Sequence, residues 1–241
     1  MILVEGIACS ADDARIAENS GVHRLEVCSS MVLGGLTPSL GSFKAIREET
    51  SLDLIAMIRP RGSGFCYSNQ EYVAMLYDTD ALFQAGANGI AFGILDERGQ
   101  VDLARCQRLI SHAQGKQVVF HRAFDATPEP TTSLETLIDL GVTRILTSGQ
   151  AHTALLGADL IRRLIEQAAG RIEILVGGGV RPDTVHEIVA KSGATQVHLG
   201  PFGSLSDPSA EVSQAAKQSY GATYPIADGE TLSKVVQALN S

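Results

Sequence analysis

The sequence predicts an α/β chain folded as one (β/α)8 barrel of the TIM type, a single domain over residues 1–241 with a short C-terminal helical extension. Three observations carry this. Apolar, strand-like runs begin near Ile2, Arg24, Leu54, Gly89, Gln117, Thr143, Ile172 and Gln196, and each is followed by a stretch with helical punctuation. Several runs end in polar or glycine residues: Leu25-Glu26-Val27-Cys28, Met57-Ile58-Arg59-Pro60-Arg61, Val118 through His121-Arg122 to Asp125, and Ile174 through Gly177-Gly178-Gly179. That is how a barrel presents an active site, at the C-terminal mouth of its strands. The length of 241 residues also suits one barrel of about 250. An open doubly wound sheet shares the alternation, but it would gather strand-end chemistry at one switch point instead of spreading it over nearly all units.

Each element has its own signal. Ser10 with Asp13, Ser68 with Glu71 and Thr132 with Glu135 have the spacing of capping boxes for the first, third and fifth helices. In the second strand Leu25 and Val27 alternate with Glu26 and Cys28, so an outward apolar pair puts Glu26 and Cys28 inside. The fourth helix should bury a face of Leu103, Cys106 and Ile110. Pro182 is placed to open the helix that runs to Lys191. In the eighth strand Val197 and Leu199 point outward and His198 inward. Gly21, Gly86, Gly115, Gly141, Gly170 and Gly193 stand where helices should stop. After Pro201 the chain reads as irregular until Asp228-Gly229-Glu230 begins a last helix through Leu239, which would cover the barrel or meet a neighbouring subunit.

Composition narrows the function. The chain is 44% hydrophobic without a long apolar run, which gives a large core and no membrane span. A net charge of −8 speaks against nucleic acid or an anionic membrane as partner. The start, Met1-Ile2-Leu3-Val4, shows no secretory signal, and the four cysteines form no C-x-x-C pair. Free thiols and a cytoplasmic location are therefore expected.

The strand ends bring Glu5, Glu26, Cys28, Arg59, Arg61, His121, Arg122, Asp125 and His198 toward one mouth. As catalytic groups, Glu5, Glu26, His121 and Asp125 can serve in general acid–base chemistry, with Arg59 and Arg61 clamping an anion. The same set could instead be an internal salt-bridge cluster. None of the five lysines, Lys44, Lys116, Lys191, Lys217 and Lys234, stands at a strand's C-terminal end, so Schiff-base chemistry is not expected. Gly177, Gly178 and Gly179 after the seventh strand, with Gly200-Pro201-Phe202-Gly203 after the eighth, suit a phosphate-binding loop or merely tight turns. Arg59, Arg61 and the glycine turn should then border one anion pocket. Cys9, Cys28 and Cys66 could reach one rim, where soft thiolates select Cu(I). Alternatively each is a small buried hydrophobe.

Glu26-Val27-Cys28-Ser29 followed by Gly34-Gly35-Leu36-Thr37-Pro38-Ser39-Leu40-Gly41 resembles the E-L-C-S…G-G-L-T-P-S-x-G segment of the CutC family, associated with copper homeostasis. The likeness continues through Met57–Gly62, Phe92-Gly93, Phe120–Asp125, Arg144–Gly149 and Gly177–Val180. It implies a cytoplasmic barrel that self-associates and binds Cu(I), with Cys28 as a ligand. Where the family's first strand commonly reads E-V-C-V-D, this chain has Ile7 at the cysteine position, and Cys9, two residues on, is the candidate replacement. The family often has serine after the residue matching His198, and this chain has Leu199-Gly200. One thiolate should hold copper weakly, whereas two need sulfurs separated by about twice a metal–thiolate bond of ~2.3 Å. The competing expectation is a lyase or isomerase acting on a small anionic metabolite, phosphorylated or not.

Overall fold

The structure, a computed structural model, describes residues 2–240; Met1 and Ser241, the ends of the expected domain, lie outside the described residues. Eight parallel strands close into a barrel: β1 (Leu3–Ala8), β2 (Arg24–Val27), β3 (Asp53–Met57), β4 (Gly89–Phe92), β5 (Gln117–Phe120), β6 (Arg144–Thr147), β7 (Glu173–Gly177) and β8 (Gln196–Leu199). Every start falls within one residue of its predicted place. Closure rests on β8, which pairs with β1 so that Glu5 stands opposite His198, while β2 places Arg24 opposite Glu5 on the other side. The intervening helices are α1 (Ala11–Asn19), α2 (Leu40–Glu49), α3 (Asn69–Gln84), α4 (Leu103–His112), α5 (Pro130–Asp139), α6 (Ala158–Ala168) and α7 (Val185–Ser192).

The two-residue period of a strand sorts side chains into two cores. Leu25, Val27, Ile90, Phe92, Ile145, Val197 and Leu199 face the helices in the larger one. Ile7, Cys28, Ile55, Met57, Ala91, Val119, Leu146 and Leu175 fill the barrel interior. Below this plug the N-terminal end is polar. Arg24 bonds Glu5 and Gln196, and Arg144 bonds Glu173 and Gln117. Glu5 links this charged base to the mouth through His198.

The caps follow the expectations in part. Ser68 and Glu71 form a complete capping box at α3, and Ser10 accepts the Asp13 amide at α1. Asp13 does not return the bond, because its carboxylate takes the amides of Cys9 and Ala227. The box expected at Thr132 is absent: α5 starts two residues earlier, at Pro130, whose fixed φ suits a first turn. Glu135 is drawn away to Arg171. Pro182 lies in a turn before α7 rather than at its start. On α4 the buried partner of Cys106 is Leu109, while Leu103, in the first position, is exposed. All six predicted stop glycines have positive φ.

The tail corrects the sequence reading most. Instead of an irregular segment it folds as an antiparallel hairpin, β9 (Phe202–Ser206) with β10 (Thr223–Ala227), around the short helices α8 (Pro208–Glu211) and α9 (Gln214–Tyr220). The last helix, α10 (Gly229–Asn240), packs on α1 and α7, with Leu232 and Val235 buried.

Candidate functional site

A cavity of about 850 Å³ opens at the C-terminal mouth. Glu26, His121 and His198 reach its wall because each is an inward residue within one position of the C-terminal end of its strand. Its rim comes from the loops after β2, β3, β5, β7 and β8, and the tail adds Phe202 and Thr231.

Glu26 is 4% exposed, and its Oε2 has no hydrogen-bond partner among the described residues. Burial disfavours its charge and, with Glu5 nearby, outweighs the attraction of His198, raising the carboxyl to about 7. His198 Nδ1 lies 2.8 Å from Glu5 Oε1, and its Nε2 lies 3.9 Å from Glu26 Oε1. Burial pulls this imidazole down, but Glu26 and Glu5 outweigh it and raise it. Glu5 is deeper and does not line the cavity. Burial opposes its charge too, yet the His198 bond, Arg24 and Arg144 hold it at about 2. Ligand atoms of Glu5, Glu26 and His198 lie within 4.8 Å of one another, close enough for one metal ion. The Arg24 ion pair and the His198 bond already occupy Glu5, so the trio is described better as an internal charge network.

His121 behaves differently. Burial, with Arg59 nearby, lowers its pKa to about 3, so the ring is neutral. Its Nδ1 accepts the Ala123 amide. The ring proton therefore sits on Nε2, which is buried, unpartnered among the described residues and borne by a residue of the cavity wall.

Other predicted residues serve the loops. Arg59 lines the cavity, but its guanidinium donates to the carbonyls of Leu33, Gly35 and Ser63 at 2.8–3.0 Å. Arg61 is outside the cavity lining, bonded to Glu71 and to the carbonyls of Gly62, Gly64 and Cys66. The expected pocket bordered by both arginines does not form. Asp125 is also outside the lining. It accepts from Thr147 Oγ1 and from the amides of Ser148 and Gln150, and Arg122 pairs with it at 2.9 Å. Gly178 and Gly179 line the cavity, while Gly177 lies beneath, close to Leu146 and His198. The cationic wall beside the glycines comes from Arg122 and from Arg181, which the sequence reading missed although it directly follows Gly-Gly-Gly-Val.

The thiols converge in part. Cys9 lies just past β1, two residues beyond the inward-facing Ile7 and therefore on the same side. Continuing the β1–β2 register sets it opposite Cys28, and the sulfurs are 3.7 Å apart. Cys28 Sγ also lies 3.3 Å from Met31 Sδ, a third soft donor three residues along the chain that the sequence reading overlooked. The contact with Cys28 lowers the Cys9 pKa, while the same contact and burial raise that of Cys28. Cys66 is exposed in the loop after β3 and does not join them, and Cys106 is buried on α4.

Fold and site define a class: a (β/α)8 barrel with buried ionisable groups facing its mouth and a pair of thiols at the C-terminal ends of β1 and β2. The chain belongs to the CutC family, whose sequence pattern matches residues 2–203. It is 43% identical to a CutC family protein of Treponema denticola, over 99% of both chains. It is 42% identical to the human copper homeostasis protein cutC homolog, covering 81% of this chain and 72% of the human one. The crystal structure of the CutC protein from Streptococcus agalactiae superposes with a TM-score of 0.79 at 33% identity, over 82% of this chain and 98% of that one. Among the described residues no helix is long and apolar enough to cross a membrane.

Proposed function

We propose that this copper-homeostasis protein binds one Cu(I) through Cys9 and Cys28, with Met31 as a third, neutral ligand. The observation that carries the reading is the 3.7 Å separation of the two thiol sulfurs. The separation is shorter than the expected two bond lengths of ~2.3 Å, so the ligands are bent rather than linear: two sulfurs each about 2.3 Å from one ion subtend a nearly tetrahedral angle at 3.7 Å, which leaves room for a third ligand. Thiolate and thioether are soft donors suited to Cu(I). The cost is displacement of two thiol protons, one of them from the buried Cys28. Free thiols at this spacing suit a reducing compartment, so the cytoplasm belongs to the proposal. Self-association belongs to it as well: Val32 and Leu33 in the β2–α2 loop and Val73 and Tyr77 on α3 are large apolar side chains left in solvent.

Titration of Cu(I) against a competing chelator under reducing conditions tests the reading. One equivalent per chain is expected, with affinity lost in Cys28→Ser, lowered at least tenfold in Cys9→Ser and several-fold in Met31→Leu. Tight binding that survives Cys28→Ser would refute it.

A further inference from the structure

Met31 of the proposed copper site lines the mouth cavity while Cys9 and Cys28 do not, and the cavity's own polar groups are left over from the fold. Glu26 Oε2 and His121 Nε2 are both buried and unpartnered among the described residues, and both residues face the same 850 Å³ space. A buried polar group without a partner costs stability, so such groups in a cavity mark a ligand's contacts. Across the mouth, the amides of Gly178, Gly179 and Val180 donate to no acceptor among the described residues, and all three residues line the cavity. Gly178 and Gly179 have φ of +100° and +72°, a left-handed backbone that glycine adopts without a Cβ clash. The Arg181 guanidinium has no partner among the described residues, and Arg122 lies beside Gly178. Asp183 on the same rim is exposed and opposes these charges in part.

We propose that this cavity is the active site of a proton-transfer enzyme for small phosphorylated hydroxyketones, binding phosphate at the Gly178–Val180 amides and Arg181 and the carbonyl end at Glu26 and His121. In the step itself, the C–H bond next to the carbonyl breaks and its proton passes to Glu26 Oε2. The electron pair forms the C=C bond of an enediolate, and the charge moves to the carbonyl oxygen. There the Nε2–H of the neutral His121 donates a hydrogen bond. Return of the proton to the neighbouring carbon, with redistribution of the hydroxyl proton, completes an isomerisation without a co-reactant. The Glu26 oxygen that no protein group holds is free to take the proton, and His121, whose Nδ1 accepts the Ala123 amide, presents Nε2–H as a donor to the oxyanion. No lysine lines the cavity, so the carbonyl is activated by hydrogen bonding rather than by an imine.

The experiment uses dihydroxyacetone phosphate and ribulose 5-phosphate as probes in D2O, with deuterium entry at carbon followed by NMR. Calorimetric titration of inorganic phosphate runs in parallel. The intact protein should exchange at least one probe. Glu26→Gln, purified identically, should slow exchange by roughly hundredfold or more while retaining phosphate affinity. Arg181→Met, a change on the exposed rim, should weaken phosphate binding about tenfold. Exchange of neither probe, exchange undiminished in Glu26→Gln, or no saturable phosphate binding would each overturn the proposal. If Glu26→Gln does not fold, the Arg181→Met affinity and the wild-type exchange still decide it.

Discussion

Glu5 and Glu26 are chemically identical groups in one barrel interior, yet their surroundings push their ionisation in opposite directions. Glu5 is held ionised at about 2 because, against the penalty of burial, it bonds His198 and Arg24. Glu26 rises to about 7 because burial dominates and one oxygen has no donor. The two shifts act on stability with opposite signs. Glu26 binds its proton more tightly in the folded chain, so its contribution is complete below the unfolded value of 4.5 and is lost as pH rises through 7. The Glu5 contribution is present above 4.5 and is lost as pH falls toward 2. Glu26→Gln removes the first effect and, with it, the part of the His198 rise that the Glu26 charge causes. Relative to the variant, the wild type should lose up to about 3 kcal/mol between pH 4.5 and 7.5, with no further change above. Chemical denaturation of both proteins across that range checks it; parallel curves would show that Glu26 ionises freely in the folded state. The inward direction of Glu26 was legible from strand alternation. Its unpartnered oxygen was not, because that depends on which donors the neighbouring strands bring to the same layer.

Among the elements, the strands were the most legible and the loops the least. Strands betray themselves by an apolar run and a period of two, both local properties. What a loop's polar side chains bond depends on the return path of the chain. Arg61 and Asp125 look like free functional groups in the sequence but are spent on backbone groups nearby. The loop after β6 shows how tightly such organisation is drawn. Asp125 fixes the amides of Ser148 and Gln150, and Gly149 and Gly157 approach so closely that a Cβ on Gly157 would overlap the Ser148 carbonyl oxygen. The obstacle is backbone, which cannot swing aside as a flexible side chain can. Gly157→Ala should therefore destabilise the fold by about 1–3 kcal/mol through overpacking. It should also shift Ser148, which binds Arg122 at the cavity wall. A lowered urea midpoint with weaker phosphate binding is the expected pair of results. An unchanged midpoint would mean that the loop opens without cost.

At the scale of the whole molecule, the tail is part of the site. The last helix was legible, from Asp228-Gly229-Glu230 through Leu239 against an observed Gly229–Asn240, but the hairpin before it was not, because it is specified by what it covers rather than by a strong period of its own. Their attachment converges on Asp13, which is buried on α1 and divides its carboxylate between two distant segments. Oδ2 accepts the Cys9 amide at 3.0 Å, and Oδ1 accepts the Ala227 amide at 2.8 Å, at the end of β10. One side chain therefore ties the thiol-bearing end of β1 to the segment that leads into α10. Asp13→Ala would leave both amides without this acceptor. Two charge-assisted bonds at about 1.5–3 kcal/mol each set the scale, but water reaching the half-buried Cys9 offsets part of the loss, so about 2–4 kcal/mol is expected. The more telling effect is on copper. With its backbone anchor gone, Cys9 is no longer held opposite Cys28, and Cu(I) affinity should fall although no ligand atom has been removed. Hydrogen exchange should show α10 and β10 opening more readily in the variant, while the amides of β4 and β5, across the barrel, keep their protection. If copper affinity and tail protection were both unchanged, Asp13 would be a dispensable residue of the first turn of α1 and the tail an independent appendage.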